Sequence, residues 1–431
     1  MKSFYIITLG CSKNEVISQK INASLSIKGF IEVENIDDAD YIIINSCGFI
    51  EDAINETIEE TILSSRLKKP KAKIILTGCA VNLYKEEFKK ELLEADYVLN
   101  YDDFYSFFDL ESYEKSILRK VSDKNWEYLL ISEGCNRNCT YCTIPLIKGK
   151  YRSFNLEQLI KEAKILKEKN IEEIILISQD TAYYGQDIDK NSYPDLLIKL
   201  IENIYNIGIK KIRLLYFNLD SLGNVKEIDI IEKIFSLNGV IPYFEIPLQH
   251  LVDPILKKMG RKIDYNKIEF IIKWIKEKFE KSVIRTSIIT GFPGETENDY
   301  LLLKERLLSL PIDYLNVFAY SDMEKAPSFK LKNKIKPEIS IERRNDLINS
   351  FEQTLKNKLA RFIGNEEEIY IEGEDEDYYI GRSWAQAPDL DGLTYIEKND
   401  KSKKIFTNWS ERKHKVRIYD TFFYDFYGEI I

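Results

Sequence analysis

Residues 133–145 read EGCNRNCTYCTIP, with Cys135, Cys139 and Cys142 spaced C-x3-C-x2-C. A structural zinc takes four ligands in a closed tetrahedron, so this array is one donor short of such a site. Either a fourth ligand arrives from elsewhere in the chain, or the site keeps one corner open for a reactant. The preceding EYLLIS is an apolar run of strand length, which places the array in the loop after a strand.

That strand opens a series. EYLLIS, EEIILIS, KIRLLYF, PYFEIP, VIRTSII and DYLNVF are separated by amphipathic segments such as Leu156–Lys169 and Asp264–Phe279. Six such units in about 190 residues predict a partial (β/α)6 barrel, short of the usual eight, with reactive groups on the loops after the strands. The array occupies such a loop.

The N-terminal third follows the same logic. FYIITL, YIIINS, KIILTG and YVLN read as strands, and Lys13–Lys28, Ile50–Leu67 and Asn82–Glu94 as helices. This βαβα alternation predicts a parallel sheet with right-handed crossovers. Its strands end in TLGC, INSC and LTGC, so Cys11, Cys47 and Cys79 each follow a strand's carboxyl end just before a helix. Parallel strands share that edge, and three thiols at the same topological position point to a metal site rather than to core packing. An unperturbed thiol, with pKa about 8.5, is only slightly ionised at neutrality, so a metal must supply most of the drive to thiolate.

Composition narrows the class. At 431 residues, 44% hydrophobic and 31% charged, the chain is that of a globular protein of about three domains. No run of about 18 apolar residues predicts a membrane span. MKSFYIITLG reads as a first strand rather than a secretory signal, and the expected location is the cytoplasm, where thiols stay reduced. Disulfides are therefore disfavoured. The only histidines are His250 and His414, so imidazole contributes little to metal binding.

At this point the sequence resembles a known family. C-x3-C-x2-C after the first strand of a six-unit barrel is the pattern of radical S-adenosylmethionine (SAM) enzymes. A three-cysteine N-terminal domain joined to that barrel looks like the methylthiotransferases among them. TLGCSKN, INSCGFIEDA, LTGCA, ISEGCNRNCTYCTIP, SQDTAYYG, IPLQH and GFPGET carry the resemblance over most of the first 300 residues. Ser12 stands where a proline is usual, and VISQ at 16–19 lacks the acidic residues common there.

The resemblance implies two [4Fe-4S] clusters. Cys135, Cys139 and Cys142 would hold one, its fourth iron taking SAM. Cys11, Cys47 and Cys79 would hold the other, again with one iron free. It further implies that one SAM methylates sulfur on the second cluster and another yields a 5′-deoxyadenosyl radical, with flavodoxin or ferredoxin as electron donor. Tyr141 stands where such enzymes contact adenine, and Gln179, Asp180, Gly291 and Glu295 are expected SAM contacts. Each has a plainer reading: Asp180 as a helix cap and GFPGE as a structural turn. His250 is expected either as a structural histidine or as a catalytic one, and Lys148, Lys150 and Arg152 as a solvated basic stretch or as contacts to an anionic substrate.

Beyond a helical connector at Glu342–Phe362, the short runs EEEIYIEG, YYIGRSW, LTYIEK, KVRIYD and FFYDFYG predict a small antiparallel β-barrel, resembling a TRAM domain by position. The expected fold class is thus α/β, divided as 1–120 (N-terminal domain), 121–355 (radical SAM core) and 356–431 (TRAM domain). Residues 364–431 hold sixteen acidic and nine basic residues, a net charge of −7 within a chain total of −9. Nucleic-acid binding normally uses basic grooves, so this charge disfavours tRNA and favours a basic protein. The family has one branch acting on an isopentenylated adenosine of tRNA and another on an aspartate of ribosomal protein S12. Charge and the segments ISEGCNR and GRSWAQAPDLDG point to the second, although Gln386 replaces an acidic residue common there. The same thiols would also suit a zinc-stabilised scaffold.

Overall fold

Isoleucine-rich runs without polar alternation suit strands covered on both faces, the condition of a parallel sheet flanked by helices. The computed structural model describes residues 1–191, 193–222, 227–399 and 412–431. It contains two units: Met1–Val240 with Met259–Arg261 and Ser321–Leu331, and Ile241–Lys258 with Lys262–Tyr320 and Lys332–Ile431. No helix among the described residues is long and apolar enough to cross a membrane.

The first unit begins β1 (Ser3–Thr8), α1 (Ser12–Ile27), β2 (Ile31–Glu32), β3 (Tyr41–Ser46), α2 (Glu51–Leu67), β4 (Lys73–Gly78), α3 (Cys79–Glu91), β5 (Tyr97–Val98) and α4 (Tyr101–Phe107). Its sheet has the order β2-β1-β3-β4-β5, every pairing parallel. Ile42, Ile44, Ile74 and Leu76 pack with Val81 and Phe88 on one side. Helix α3 starts at Cys79, three residues before the expected Asn82, because Gly78 turns the chain at φ +102° directly out of β4.

The unit continues with β6 (Trp126–Leu130), β7 (Ser132–Glu133), α5 (Ile144–Lys148), β8 (Arg152–Ser153), α6 (Leu156–Glu168), β9 (Glu173–Ile177), α7 (Asp195–Ile207), β10 (Lys211–Leu214) and α8 (Glu227–Phe235). Strands β6, β9 and β10 pair in parallel. A buried charge network ties this part to the first sheet. Lys20 of α1 meets Glu162 of α6 at 2.8 Å, while Arg119 reaches Glu162 at 3.2 Å and also pairs with Glu127 of β6. Such a network is often no more stabilising than apolar residues of the same volume. Its geometric demands nevertheless fix how the helices sit.

In the second unit, β11 (Val240–Glu245), α9 (Asp253–Lys258), α10 (Tyr265–Lys278), β12 (Val283–Thr290), α11 (Glu297–Ser309) and β13 (Tyr314–Ala319) complete the series of six βα strands along the chain. Here β11, β12 and β13 pair in parallel. The connector α12 (Pro337–Leu359) begins five residues before the expected Glu342, with proline favourably in its first turn. Its Leu347, Phe351, Leu355 and Leu359 recur every fourth residue and are buried.

The closing barrel contains β14 (Glu366–Glu374), β15 (Tyr378–Arg382), β16 (Thr394–Glu397), β17 (Lys413–Phe422) and β18 (Asp425–Ile430), in the order β14-β15-β16-β18-β17. It is not wholly antiparallel as expected, since β16 and β18 run parallel. Five strands in a closed ring rule out strict alternation of direction, so one like-directed pair is unavoidable.

Asp96 tests the first sheet. Burial raises its pKa, but Lys68, Lys73 and the Ile74 N–H outweigh that and bring it to about 2. A depressed carboxylate stabilises the fold above its unfolded pKa and loses that contribution as pH falls toward its folded one. Asp96→Asn is therefore expected to cost about 1 kcal/mol at pH 7. By denaturant titration, the gap to the parent should close as pH falls from about 4 to about 2.

Candidate metal-cofactor site

Three loops at the carboxyl edge of the first sheet carry Cys11, Cys47 and Cys79. Cys11 precedes α1 with extended backbone, Cys47 follows β3, and Cys79 opens α3. The loops touch. A Cβ placed on Gly10 would lie 2.6 Å from Cys47 Sγ, and one on Gly48 would lie 2.6 Å from the Ala80 Cα. Only glycine allows these approaches. Cys79 Sγ stands 3.5 Å from Asn14 Oδ1 in α1. Cys11 is exposed, Cys47 partly covered and Cys79 buried. Burial pushes the Cys79 thiol up to about 12, and the neighbouring Cys11 and Cys47 add to the shift; burial likewise raises Cys47.

The second array lies in a loop clamped at its base. Antiparallel pairing of β7 with β8 aligns Glu133 with Arg152, and the Cys135 N–H donates to Gly149 O at 3.1 Å. Gly134 sits at φ +78°, where a Cβ would come within 2.2 Å of Lys150 O. At the far side, the Thr140 N–H donates to Met259 O and the Ser328 N–H to Thr140 O. Burial lifts Cys142 to about 12 and Cys135 to about 11, against the Arg137 N–H donated to the Cys135 sulfur.

Among the described residues, no three His, Cys, Asp or Glu side chains converge as the ligands of one metal ion would. A four-iron cluster makes a wider demand, because each thiolate binds a different iron. Soft thiol donors are those that iron–sulfur clusters take. The donor sets fit such clusters. Burial favours the protonated form of Cys47, Cys79, Cys135 and Cys142 until a metal supplies the drive.

Beside the array, Asp180 Oδ2 accepts from Arg137 Nε at 3.0 Å and from Ser221 Oγ. Burial raises the Asp180 carboxyl, with Arg137 opposing. Asp180 makes no side-chain cap, so that plainer reading does not hold. Gln179 Nε2 donates to Glu133 Oε1 at 3.1 Å. Gln179 Oε1 and Asp180 Oδ1 are buried without a hydrogen-bond partner, as befits a polar site that a ligand completes. Tyr141 is largely covered, and burial and Cys139 raise its phenol, with Arg261 opposing. Arg261 Nε pairs with Asp220 at 2.8 Å.

The remaining expected residues lie in the second unit. The Gly291 N–H donates to Glu295 Oε1 at 3.0 Å, and Arg343 meets the same oxygen at 2.7 Å. His250 Nδ1 accepts the Val252 N–H, leaving Nε2 to donate to Glu295 Oε2 at 3.1 Å. His250 is thus a satisfied, buried histidine.

The basic stretch departs from expectation. Lys150 is exposed and Arg152 pairs with Glu114, but Lys148 is buried against Glu133 at 2.8 Å. Sequence reading also missed Arg137 and Arg261. Arg137 stands inside the array and was open to notice there. Nothing in KKMGRK marks Arg261.

Comparisons with known proteins match this layout. Residues 3–100 fit Uncharacterized protein family UPF0004, residues 129–307 the Radical SAM superfamily, and residues 363–431 the TRAM domain. A Thermoanaerobacter sp. (strain X514) protein named ribosomal protein uS12 methylthiotransferase RimO is 38% identical, covering 94% of this chain and 95% of its own. The chain belongs to the RimO family of radical SAM methylthiotransferases. An Aquifex aeolicus (strain VF5) member is 36% identical over 91% of this chain and 90% of its own. By fold, the chain is similar to the radical SAM methyltransferase TsrM from Kitasatospora setae, with a TM-score of 0.52 at 11% identity over 76% and 77% of the two chains.

Gly134→Ala tests the clamp around the array. Its strained turn is expected to displace Cys135 and leave about half the parent's iron after anaerobic reconstitution. Circular dichroism should be unchanged. Full iron content in this variant would show that the turn does not position the array.

Proposed function

We propose that this chain transfers a methylthio group to the β-carbon of an aspartate in ribosomal protein uS12; its relatives are named ribosomal protein uS12 methylthiotransferases. The observation that carries the reading is the presence of two three-thiol groups in one unit, each on loops at strand ends. Cys135, Cys139 and Cys142 would hold the cluster that supplies radical chemistry on SAM, and Cys11, Cys47 and Cys79 the cluster that presents sulfur.

The β-hydrogen of an aspartate lies beside a negative carboxylate, so removing it as a proton is unfavourable. A radical route avoids that obstacle, and the protein's share is binding, orientation and exclusion of water. Gln179, Asp180 and Tyr141 are proposed as SAM contacts, supported by the unpartnered oxygens of the first two. Gly291 and Glu295 are retained as weaker proposals, because Gly291, Arg343 and His250 already engage the Glu295 carboxylate. The net charge of −7 over residues 364–431 would steer a basic protein by long-range attraction and repel tRNA. A flavodoxin or ferredoxin is the proposed reductant, the cytoplasm the proposed location, and 1–120, 121–355 and 356–431 the proposed domains.

Two measurements test the reading. Anaerobic reconstitution should give about eight irons per chain, falling to about four when Cys135, Cys139 and Cys142 are all changed to Ala. Loss of all iron in that variant would contradict two independent sites. In a binding titration across salt, tRNA should associate weakly. Tight association that collapses as salt rises would favour the tRNA-modifying branch instead.

A further inference from the structure

Lys148 is the last residue of α5, six positions after Cys142. That short helix packs on α3, which opens with Cys79. Ile147 and Cys79 belong to one apolar cluster with Leu83, Met323 and Ala326, and Asn82 Nδ2 donates to Ile147 O at 2.9 Å. The Lys148 side chain is 4% exposed and that of its partner Glu133 1%. The Tyr113 hydroxyl donates to Glu133 Oε2, Gln179 Nε2 to its other oxygen, and Nζ lies 4.5 Å from the Tyr101 ring centroid.

The anchoring also runs toward the N-terminal thiols. The Tyr101 hydroxyl donates to Asn45 Oδ1 at 2.9 Å, Asn45 Nδ2 donates to Asn14 O at 3.0 Å, and Asn14 Oδ1 stands 3.5 Å from Cys79 Sγ. A buried ion pair is often no more stable than apolar residues of the same shape, so stability alone does not account for this one. An ammonium carries three N–H donors and one full charge, and Glu133 engages one side of it.

We propose that Lys148 is a positioning residue for the N-terminal sulfur site: its buried ammonium, held by Glu133 and the Tyr101 ring, stabilises negative charge on sulfur bound beside Cys79. This rests on the reading given under Proposed function, and it adds a group from the helix that follows the array to the other triad's surroundings.

The test uses the full chain with Cys135, Cys139 and Cys142 changed to Ala, so that one site remains. With that site poised at a fixed potential near its midpoint and followed by electron paramagnetic resonance, Lys148→Met should lower the ratio of reduced to oxidised site about tenfold, the scale of losing one partly screened charge. Lys148→Arg should restore it. If Lys148→Met fails to load iron because Glu133 is left unpaired, Lys148→Met/Glu133→Gln serves instead and should show a smaller fall. An unchanged ratio in a loaded Met variant overturns the inference alone. Absence of iron from the three-alanine parent overturns the two-site reading and this inference with it.

Discussion

Parallel strands joined by helices deliver their carboxyl ends to one edge, and the chemistry of the first unit depends on that constraint. Cys11, Cys47 and Cys79 are separated by more than thirty residues at each step, yet the β1-β3-β4 register sets their loops side by side. Gly10 and Gly48 then remove the Cβ atoms that would hold those loops apart. The array at Cys135–Cys142 meets the same need by another route. A tight loop supplies all three thiols, and β7 and β8 close its base.

Burial links the two groups. Helix α5 leaves the array and packs on α3, so the approach to Cys142 and the start at Cys79 share one apolar cluster. Within that dry setting every polar group needs a partner. Glu133 gathers Lys148, Tyr113 and Gln179 around its carboxylate. The Gln179 and Asp180 oxygens that lack a partner are where the proposed SAM contacts would form.

Much of this was legible in the sequence. YIIINS and KIILTG match β3 and β4 residue for residue, because a doubly covered strand writes itself as an unbroken apolar run. The cysteines were legible for the same reason, each punctuating a strand end. Lys148 was not. In IKGKYR it reads as one more solvated cation, and its burial is decided by α3 and by a carboxylate fifteen positions earlier, neither of which leaves a local pattern. The parallel pair in the closing barrel was also hidden, since strand runs do not state direction. His250 and Glu295 were visible as residues, but their mutual hydrogen bond is a product of tertiary packing.

The central claim, that two open thiol triads together serve sulfur transfer to a basic ribosomal protein, is tested most directly by mass spectrometry of uS12 from cells with and without this gene. The account predicts an aspartate-bearing uS12 peptide heavier by one methylthio group when the gene is present, and the unmodified peptide when it is deleted. An identical uS12 in both strains, with a methylthio group missing from tRNA in the deletion, would contradict it.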